Sequence, residues 1–380
     1  MGYSMLKNKV ADYLSGLPAS TLLVALVLSV SACQPSTADD GAQSRPAHHA
    51  EAGFRNPHLT DTSDKNFFSY VRMRWLSDEE FADHSESVDQ IRVADHRPPL
   101  SADSDRPRVT WLGHSSFLIH YRGFNLLTDP ILSQRASPVS FAGPERLAPL
   151  VYGMEDLPAI DWVVISHNHY DHLDQPTIKA LGNGAKYFVP LGLKPWFIDA
   201  GIDPDRVLEF DWWDSELVPG ARITATPTQH WSGRGLTDRN QTLWAGWRVD
   251  MADFSLWFGG DTGYNEVQFR ETRRRLGPVD LALIPIGAYA PRWFMRQSHI
   301  NPEEAVTLHN EIESSYSIGI HWSTFQLSAE PLDEPRQRLE AAVAEGRLNQ
   351  GEFVTLPIGA TITVPAQKPE PAPQTVTAGR

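Results

Sequence analysis

Short apolar runs alternate with polar segments along most of the chain, and their spacing predicts a mixture of strands and helices. Arg122-Gly123, between two such runs, is typical of a tight hairpin turn. Asn301 and Pro302 form the cap and first position of a helix. Mixed elements over 380 residues favour an α/β (layered α+β) fold, in which helices cover the sheets. The predicted strands are 108–112, 116–121, 124–128, 161–166, 186–189, 222–226, 243–249, 254–258, 280–284 and 316–321, and the predicted helices are 175–181, 266–276 and 302–311.

The N-terminus has the features of an export signal in their usual order. Lys7 and Lys9 precede an uncharged apolar stretch that ends in small residues. The sequence Val30-Ser31-Ala32-Cys33 resembles the lipobox of bacterial lipoproteins, which implies a signal peptide over 1–32 and acylation of Cys33. Gln34 follows the cysteine where Asp would favour retention, so in a Gram-negative host the resemblance implies an outer-membrane lipoprotein of the cell envelope. The alternative is a general secretion signal with an incidental cysteine.

Composition divides the rest of the chain into a tether, a domain and a tail. Residues 33–53 carry almost no large apolar side chains and are predicted to be a flexible tether. A single domain is predicted over 54–365, and the Pro- and Ala-rich segment 366–380 is predicted to be disordered. The single cysteine excludes an intramolecular disulfide. The net charge of −14 argues against nucleic acid as a partner and against a broad basic membrane face.

The segment 161–172 carries the strongest chemical signal. An apolar run leads into a polar loop that contains His167, His169, Asp171 and His172. Imidazole nitrogens and carboxylate oxygens are the ligands that zinc and similar divalent ions take. His167 and His169 alternate, so that both can face one ion, whereas Asp171 and His172 can turn towards a second ion as the chain enters a helix. The density of ligands predicts a metal site.

Three further ligand types stand at the ends of other apolar runs. His230 and His321 each close such a run, and Asp261 follows two glycines that permit close approach of the backbone. Any one of them has an ordinary explanation as a cap or a core residue. Together with the 161–172 segment, they supply enough ligands for two metal ions.

The order His167-x-His169-x-Asp171-His172, then His230, Asp261 and His321, resembles the metallo-β-lactamase superfamily. The resemblance implies an αββα sandwich with two Zn²⁺ ions, or other divalent ions, at one edge of the sheets. It implies that His167, His169 and His230 hold one ion and that Asp171, His172 and His321 hold the other. Asp261 would bridge the two ions.

Further motifs narrow the resemblance to the N-acylphosphatidylethanolamine-hydrolysing phospholipase D group. They are 111–116, 127–130, 135–138, 188–193, 211–213, and above all Pro285-Ile286-Gly287-Ala288-Tyr289-x-Pro291-Arg292-Trp293-Phe294-Met295. The resemblance implies a phospholipid substrate and hydrolysis to an N-acylethanolamine and phosphatidic acid. Gln297 and Ser298 depart from the family pattern, which leaves the head-group preference open. A homodimer is compatible with the sequence.

The resemblance also suggests roles around the ligands. Metal ions activate water and polarise a phosphodiester. Asp171 could orient the attacking group, and His299 could donate a hydrogen bond or a proton to the substrate, or only begin a helix. His114 and Asp129 suit the orientation of ligand imidazoles, or could be caps in tight turns.

Arg292 and Trp293 place a cation beside apolar groups and are predicted to contact a lipid phosphate and its chains, with core packing as the alternative for Trp293. Two alternative functions stay open: hydrolysis of lactones or cyclic sugar phosphates, and metal storage by a lipoprotein without catalysis.

Overall fold

The apolar runs of the sequence build two seven-stranded sheets in the computed structural model of the protein. The structure describes residues 45–59, 72, 81–82, 88–100 and 104–365. The predicted signal peptide, Cys33 and the predicted tail lie outside these residues. The strands are β1 (Arg108–Gly113), β2 (Ser116–Tyr121), β3 (Phe124–Thr128), β4 (Trp162–Val164), β5 (Lys186–Pro190), β6 (Val207–Phe210), β7 (Ser215–Val218), β8 (Ala221–Thr226), β9 (Gly246–Met251), β10 (Phe254–Phe258), β11 (Val279–Pro285), β12 (Ser314–Ile320), β13 (Glu352–Val354) and β14 (Thr361–Thr363).

Each sheet changes from antiparallel to parallel pairing at its middle. The first sheet has the order β14-β1-β2-β3-β4-β5-β6 and is antiparallel as far as β3 and parallel from there to β6. The second has the order β13-β12-β11-β10-β9-β8-β7, parallel as far as β10 and antiparallel from there to β7. The carboxyl ends of β3 and β4 therefore share one edge, as do those of β10, β11 and β12 in the other sheet.

The β2–β3 hairpin shows how local sequence sets the register. Tyr121 pairs with Phe124, which leaves a two-residue turn. Arg122 and Gly123 have φ values of 50° and 79°. Two successive positive φ values are those of a type I′ turn, whose twist matches the right-handed twist of the strands. The predicted tight turn is confirmed.

The helices begin where capping residues stand. Asn301 accepts a hydrogen bond from the backbone of Glu304 at 2.8 Å and donates its own backbone N–H to the Glu304 side chain at 3.0 Å. The predicted start at Pro302 is thus confirmed. The helices of the described residues are α1 (Gln175–Leu181), α2 (Lys194–Asp199), α3 (Gln268–Leu276), α4 (Arg292–Met295), α5 (Pro302–Ile312) and α6 (Glu334–Ala344).

Alternating side chains of the strands face two separate cores. In β2, Phe117 and Ile119 belong to the larger core, which also contains residues of the second sheet and of helices α3, α5 and α6. Leu118 points to the smaller core, together with Ile178 of α1 and Phe197 of α2. The layers thus follow the order helix, sheet, sheet, helix, which is the predicted αββα sandwich.

Two buried tryptophans, one in β9 and one just before it, donate hydrogen bonds to loops that follow other strands. The indole N–H of Trp247, in β9, donates to the carbonyl of Ile165 at 2.9 Å and so joins the second sheet to the segment after β4. Trp244 donates to the carbonyl of Thr228 at 3.0 Å. A buried indole needs such a partner, because an unpaired N–H in the core is costly.

The N-terminal strap, defined as residues 46–59, packs against the domain, whereas composition predicted a tether as far as residue 53. His48 is buried, and its ring stacks on that of Trp212 at 4.1 Å between centroids. The prediction counted large apolar groups and so missed a segment held by imidazole rings. Within the described part of the chain, no helix has the length and apolarity needed to cross a membrane.

We predict that Trp247→Phe destabilises the fold. The phenyl ring retains much of the packing but leaves the Ile165 carbonyl without its donor, which costs about 1–3 kcal/mol of unfolding free energy. Urea denaturation measures this loss. Leu217→Ala is the control, because Leu217 is 68% exposed on an edge strand and should change stability by less than about 0.5 kcal/mol. Equal stability of Trp247→Phe and the wild type would contradict the assigned contact.

Candidate metal centre

The predicted metal ligands lie in loops that begin at the carboxyl ends of strands from both sheets. In the first sheet, His167, His169, Asp171 and His172 follow β4. In the second sheet, His230 follows β8, Asp261 follows β10 and His321 follows β12. The two sheets therefore deliver all the predicted ligands to one edge of the sandwich.

His167, His169 and His230 form the first group of ligand atoms. Nε2 of His167 lies 2.8 Å from Nδ1 of His169, and Nε2 of His230 lies 3.3 Å from the same atom. Nδ1 of His230 donates to the carbonyl of Ser298 at 2.9 Å, which fixes the ring with Nε2 facing the group. Three imidazole nitrogens thus converge as they would around one divalent ion.

Asp171, His172 and His321 form the second group, and His114 joins it. Oδ2 of Asp171 lies 3.2 Å from Nε2 of His172 and 3.3 Å from Nε2 of His321. Nε2 of His114 lies 2.9 Å from the same oxygen. His114 therefore stands where it can orient the Asp171 carboxylate, and it is also close enough to offer a ligand atom itself.

Asp261 connects the two groups. Its carboxylate lies 3.2 Å from Nε2 of His172 and 3.1 Å from Nε2 of His321, on the side of the second group. It lies 3.9 Å from Nε2 of His167 and 3.7 Å from Nε2 of His230, on the side of the first group. The Asp261 carboxylate is therefore within reach of both groups and would contribute to holding an ion at either one.

The first group is held in the protonation state that metal binding requires. Burial, reinforced by neighbouring histidines, lowers the pKa of His167 and His169 well below the usual value. Burial also lowers the pKa of His230 to about 4. These imidazoles are neutral at pH 7 and keep a lone pair for an ion.

The carboxylates are ionised, and protons occupy the histidines beside them. Burial alone would raise the pKa of Asp261, but His321 and His172 hold it well below its usual range. Burial opposes protonation of His321, yet Asp261 and Asp171 raise its pKa to about 9. Positive charge is therefore favoured here, and a divalent ion would supply it in place of the protons. The donor set fits a two-metal centre.

Asp129 fixes the orientation of His172. Its Oδ2 accepts a hydrogen bond from Nδ1 of His172 at 2.6 Å, which leaves Nε2 of that ring for the second group. Ser166 donates its backbone N–H to Oδ1 of Asp129 at 2.7 Å, and its hydroxyl contacts both Asp129 and Nδ1 of His167. Sequence reasoning did not identify Ser166, although its place directly before His167 at the end of a strand is the available signal.

Three of these residues adopt a backbone conformation that side chains other than glycine rarely take. The φ values are 54° for His114, 31° for Asp129 and 63° for His321. Such strain costs of order 1–3 kcal/mol per residue and concentrates at functional sites. The positive φ value turns each of the three side chains from the strand end towards the metal centre.

His299 lies at the rim of the centre, and its side chain is 11% exposed. Its Nδ1 is buried, has no hydrogen-bond partner among the described residues, and lies 3.9 Å from Oδ2 of Asp261. Burial lowers the pKa of His299 well below the usual value, so the ring is neutral at pH 7. A neutral ring can donate a hydrogen bond but has no extra proton to transfer.

Arg292, the predicted contact for a lipid phosphate, makes three hydrogen bonds to protein groups in the structure. Both Nη2 contacts of Arg292 go to the Glu304 carboxylate, at 2.8 and 2.9 Å, and Nη1 donates to the carbonyl of His299 at 2.8 Å. Arg292 therefore supports the backbone of His299, and its contact with a lipid phosphate stays a prediction. Trp293 is 53% exposed, and its contact with lipid stays a prediction.

Arg234 is a supporting residue that sequence reasoning missed. Its guanidinium donates to the carbonyls of Asn168 and Leu173 at 2.7 and 2.9 Å and lies over the ring of Tyr170. These contacts hold the loop that carries the ligands of the 161–172 segment. No local motif marks Arg234, because its partners are 61 and 66 positions away in sequence.

A cleft of about 500 Å³ adjoins this loop. Its lining includes Tyr170, Trp196, Arg234 and most residues of the segment 133–140. Clefts of about 300–1,000 Å³ are typical of small-molecule sites. The loop that carries four of the predicted ligands therefore borders a space large enough for part of a substrate.

Comparison with known proteins agrees with this architecture. The family model of the "Beta-lactamase superfamily domain" matches residues 124–322. The chain is 45% identical over 263 residues to N-acyl-phosphatidylethanolamine-hydrolyzing phospholipase D 1 of Caenorhabditis elegans, which covers 66% of this chain and 74% of that protein.

Two further relatives extend the comparison. The chain is 30% identical over 257 residues to a UPF0173 metal-dependent hydrolase of Nitratidesulfovibrio vulgaris, across 66% of this chain and 95% of that one. The solved isothiocyanate hydrolase from Delia radicum gut bacteria has the same fold, with a TM-score of 0.55 at 18% identity over 68% of this chain and 100% of that chain. The chain belongs to the metallo-β-lactamase superfamily and is a metal-dependent hydrolase.

Proposed function

We propose that the protein is a two-zinc phosphodiesterase that hydrolyses N-acylphosphatidylethanolamine to an N-acylethanolamine and phosphatidic acid. The observation that carries the proposal is the Asp261 carboxylate, which faces both groups of ligand atoms at 3.1–3.9 Å. Two-metal sites of this kind suit the in-line displacement of phosphate esters. The 45% identity to the Caenorhabditis elegans protein supports the choice of substrate.

The predicted ligands would hold two ions in two groups. His167, His169 and His230 would hold one ion and Asp171, His172 and His321 the other, with Asp261 between them. When bound, the ions lower the pKa of water towards about 7 and offset charge on the phosphate. Attack by water at phosphorus would break the P–O bond to the N-acylethanolamine and leave phosphatidic acid.

Asp171 and His299 are the side chains placed to act on the reacting groups. Asp171 is 13% exposed, against 2% for Asp261, so its carboxylate is the more accessible of the two to water. We assign it the orientation of the attacking water. His299 is neutral, so we assign it a hydrogen bond to the phosphoryl oxygen rather than protonation of the leaving group.

The lipid substrate is supported by features outside the ligand set. Trp293 is half exposed on the short helix α4, and the cleft beside the 161–172 segment can receive part of a large substrate. The Pro285–Met295 segment, which resembles that of the N-acylphosphatidylethanolamine-hydrolysing phospholipase D group, supports the same substrate class. We also propose that acylated Cys33 anchors the protein in the envelope, which would bring the centre to its substrate.

We predict that a soluble form beginning at Gln34 converts N-acylphosphatidylethanolamine into both products. Mass spectrometry should find N-acylethanolamine and phosphatidic acid together, because one P–O bond is broken. His167→Ala should abolish both products, since it removes a ligand of the first group. A folded, metal-loaded protein that leaves this lipid intact would contradict the proposal, and turnover of a lactone or cyclic sugar phosphate would then identify the alternative.

We predict that His299→Ala lowers kcat by roughly 100-fold, the loss expected for one hydrogen bond to the developing charge. The bound metal, measured by plasma mass spectrometry, should stay unchanged, because His299 lies outside both predicted ligand sets. His96→Ala, which alters an exposed histidine, is the control and should keep full activity. A kcat for His299→Ala within twofold of the wild type would exclude the assigned role.

We predict that Cys33→Ser removes the protein from the membrane fraction. Without the thiol there is no acceptor for the acyl groups, so intact-mass analysis should show no lipid-modified N-terminus. Fractionation of the cell envelope provides the measurement. A variant that keeps its membrane partition and its N-terminal mass would refute the lipid anchor.

A further inference from the structure

The N-terminal strap carries a second cluster of metal-ligand atoms, which the proposed chemistry does not use. Nε2 of His48 lies 2.5 Å from Oδ1 of Asp211, and Nε2 of His49 lies 2.7 Å from Oδ2. One ligand atom from each residue lies within 4.8 Å of the others. The cluster shares no residue with the two groups around Asp261. We propose that His48, His49 and Asp211 form an additional, structural zinc site.

The backbone is folded so that both histidines can face the same point. Neighbouring residues in a strand point to opposite sides. Here a turn closes with a hydrogen bond from the backbone of His49 to Pro46 at 2.9 Å, and His48 accepts one from Arg55 at 2.8 Å. The turn brings two consecutive imidazoles onto the Asp211 carboxylate. A hydrogen bond that only attached the strap to Asp211 would need one imidazole.

The relation between the two rings repeats that in the candidate metal centre. The centroids of His48 and His49 are 4.6 Å apart with an interplanar angle of 75°. Those of His167 and His169, in the first ligand group, are 4.4 Å apart at 80°. Two imidazoles that converge edge to face with a third donor nearby are a geometry that tetrahedral zinc accepts.

The surroundings hold each donor in place. The ring of His48 stacks on Trp212 at 4.1 Å, and the backbone N–H of Trp212 donates to Oδ1 of Asp211 at 2.8 Å. The His49 ring packs edge to face on Phe54 at 5.2 Å. Supports of this kind fix the direction of metal ligands and raise affinity.

Charge and access suit a divalent ion. Burial would raise the pKa of Asp211, but the contacts with His48 and His49 hold it below its usual range, so the carboxylate is ionised. The side chains of His48, His49 and Asp211 are 8%, 20% and 22% exposed, respectively. Water can therefore complete the coordination of an ion held by two imidazoles and one carboxylate.

An ion here would fasten the strap against the candidate metal centre. Farther along the strap, the Phe54 backbone donates to the carbonyl of Asn240 at 2.8 Å, and the Asn56 side chain donates to the carbonyl of His230 at 2.7 Å. The strap thus reaches the backbone of a predicted ligand of the first group. The site's role is structural, since none of its residues faces the cleft.

The test is a difference in bound zinc between variants of the full-length protein. Protein expressed with zinc and dialysed against metal-free buffer is analysed by plasma mass spectrometry. We expect His49→Ala and Asp211→Asn each to hold one zinc ion per chain fewer than the wild type. His58→Ala, which removes an exposed histidine of the same strap, is the matched control and should lose none.

Because the readout is a difference, it does not depend on the substrate or on how many ions the candidate metal centre holds. Two variants guard against misfolding, since Asp211→Asn keeps the side-chain shape and His49 is partly exposed. A supporting measurement is the zinc-dependent rise in Tm, which should be smaller in both variants than in His58→Ala. The proposal would be overturned if His49→Ala and Asp211→Asn held as much zinc as the wild type. It would also be overturned if both variants lost all of their bound zinc.

Discussion

The structure depends on one electrostatic constraint: two ionised carboxylates, Asp171 and Asp261, are held among buried imidazoles at the edge of the sandwich. Buried charges are costly unless they are paired or coordinate a metal. The neighbouring histidines offset part of this cost. Asp261 and Asp171 raise the pKa of His321 against the effect of burial, so the site favours positive charge. Divalent ions satisfy that demand better than protons, because one ion can meet several donors at once.

The fold supplies the rigidity that such a site requires. Strands of both sheets end at the same edge, and buried indoles hold the connecting loops: Trp111 donates to the carbonyl of His114, Trp247 to Ile165 and Trp322 to Gly319. Each contact stands at or close to a loop that carries a site residue. The strain at positive φ values can persist because this packing over-determines the backbone.

Much of the fold was predictable because its strands are long, apolar and separated by turn residues. β1, β2, β3 and β10 agree with the predicted ranges within a residue. β6 was missed because its run has only four residues, and β7 because its first three side chains are exposed. β13 and β14 were missed because each has three residues. The predicted strand at 243–249 begins later, at Gly246, since Leu243 and Ala245 pair with loops instead.

The site was predictable where ligands are dense in sequence, as in the 161–172 segment. It was not predictable where function depends on distant partners. The pairing of Arg292 with Glu304, in the next helix along the chain, is one contact that the sequence did not reveal. Ser166, Arg234 and Asn56 support ligands through contacts that only the folded chain creates.

The central claim is that Asp261 lies between two metal ions. The most direct measurement is anomalous diffraction from crystals of the zinc-loaded protein, collected on both sides of the zinc absorption edge. We expect two peaks at the strand ends, one beside His167, His169 and His230 and the other beside Asp171, His172 and His321, about 3.5–4 Å apart. A single peak, or ions that do not contact Asp261, would contradict this claim.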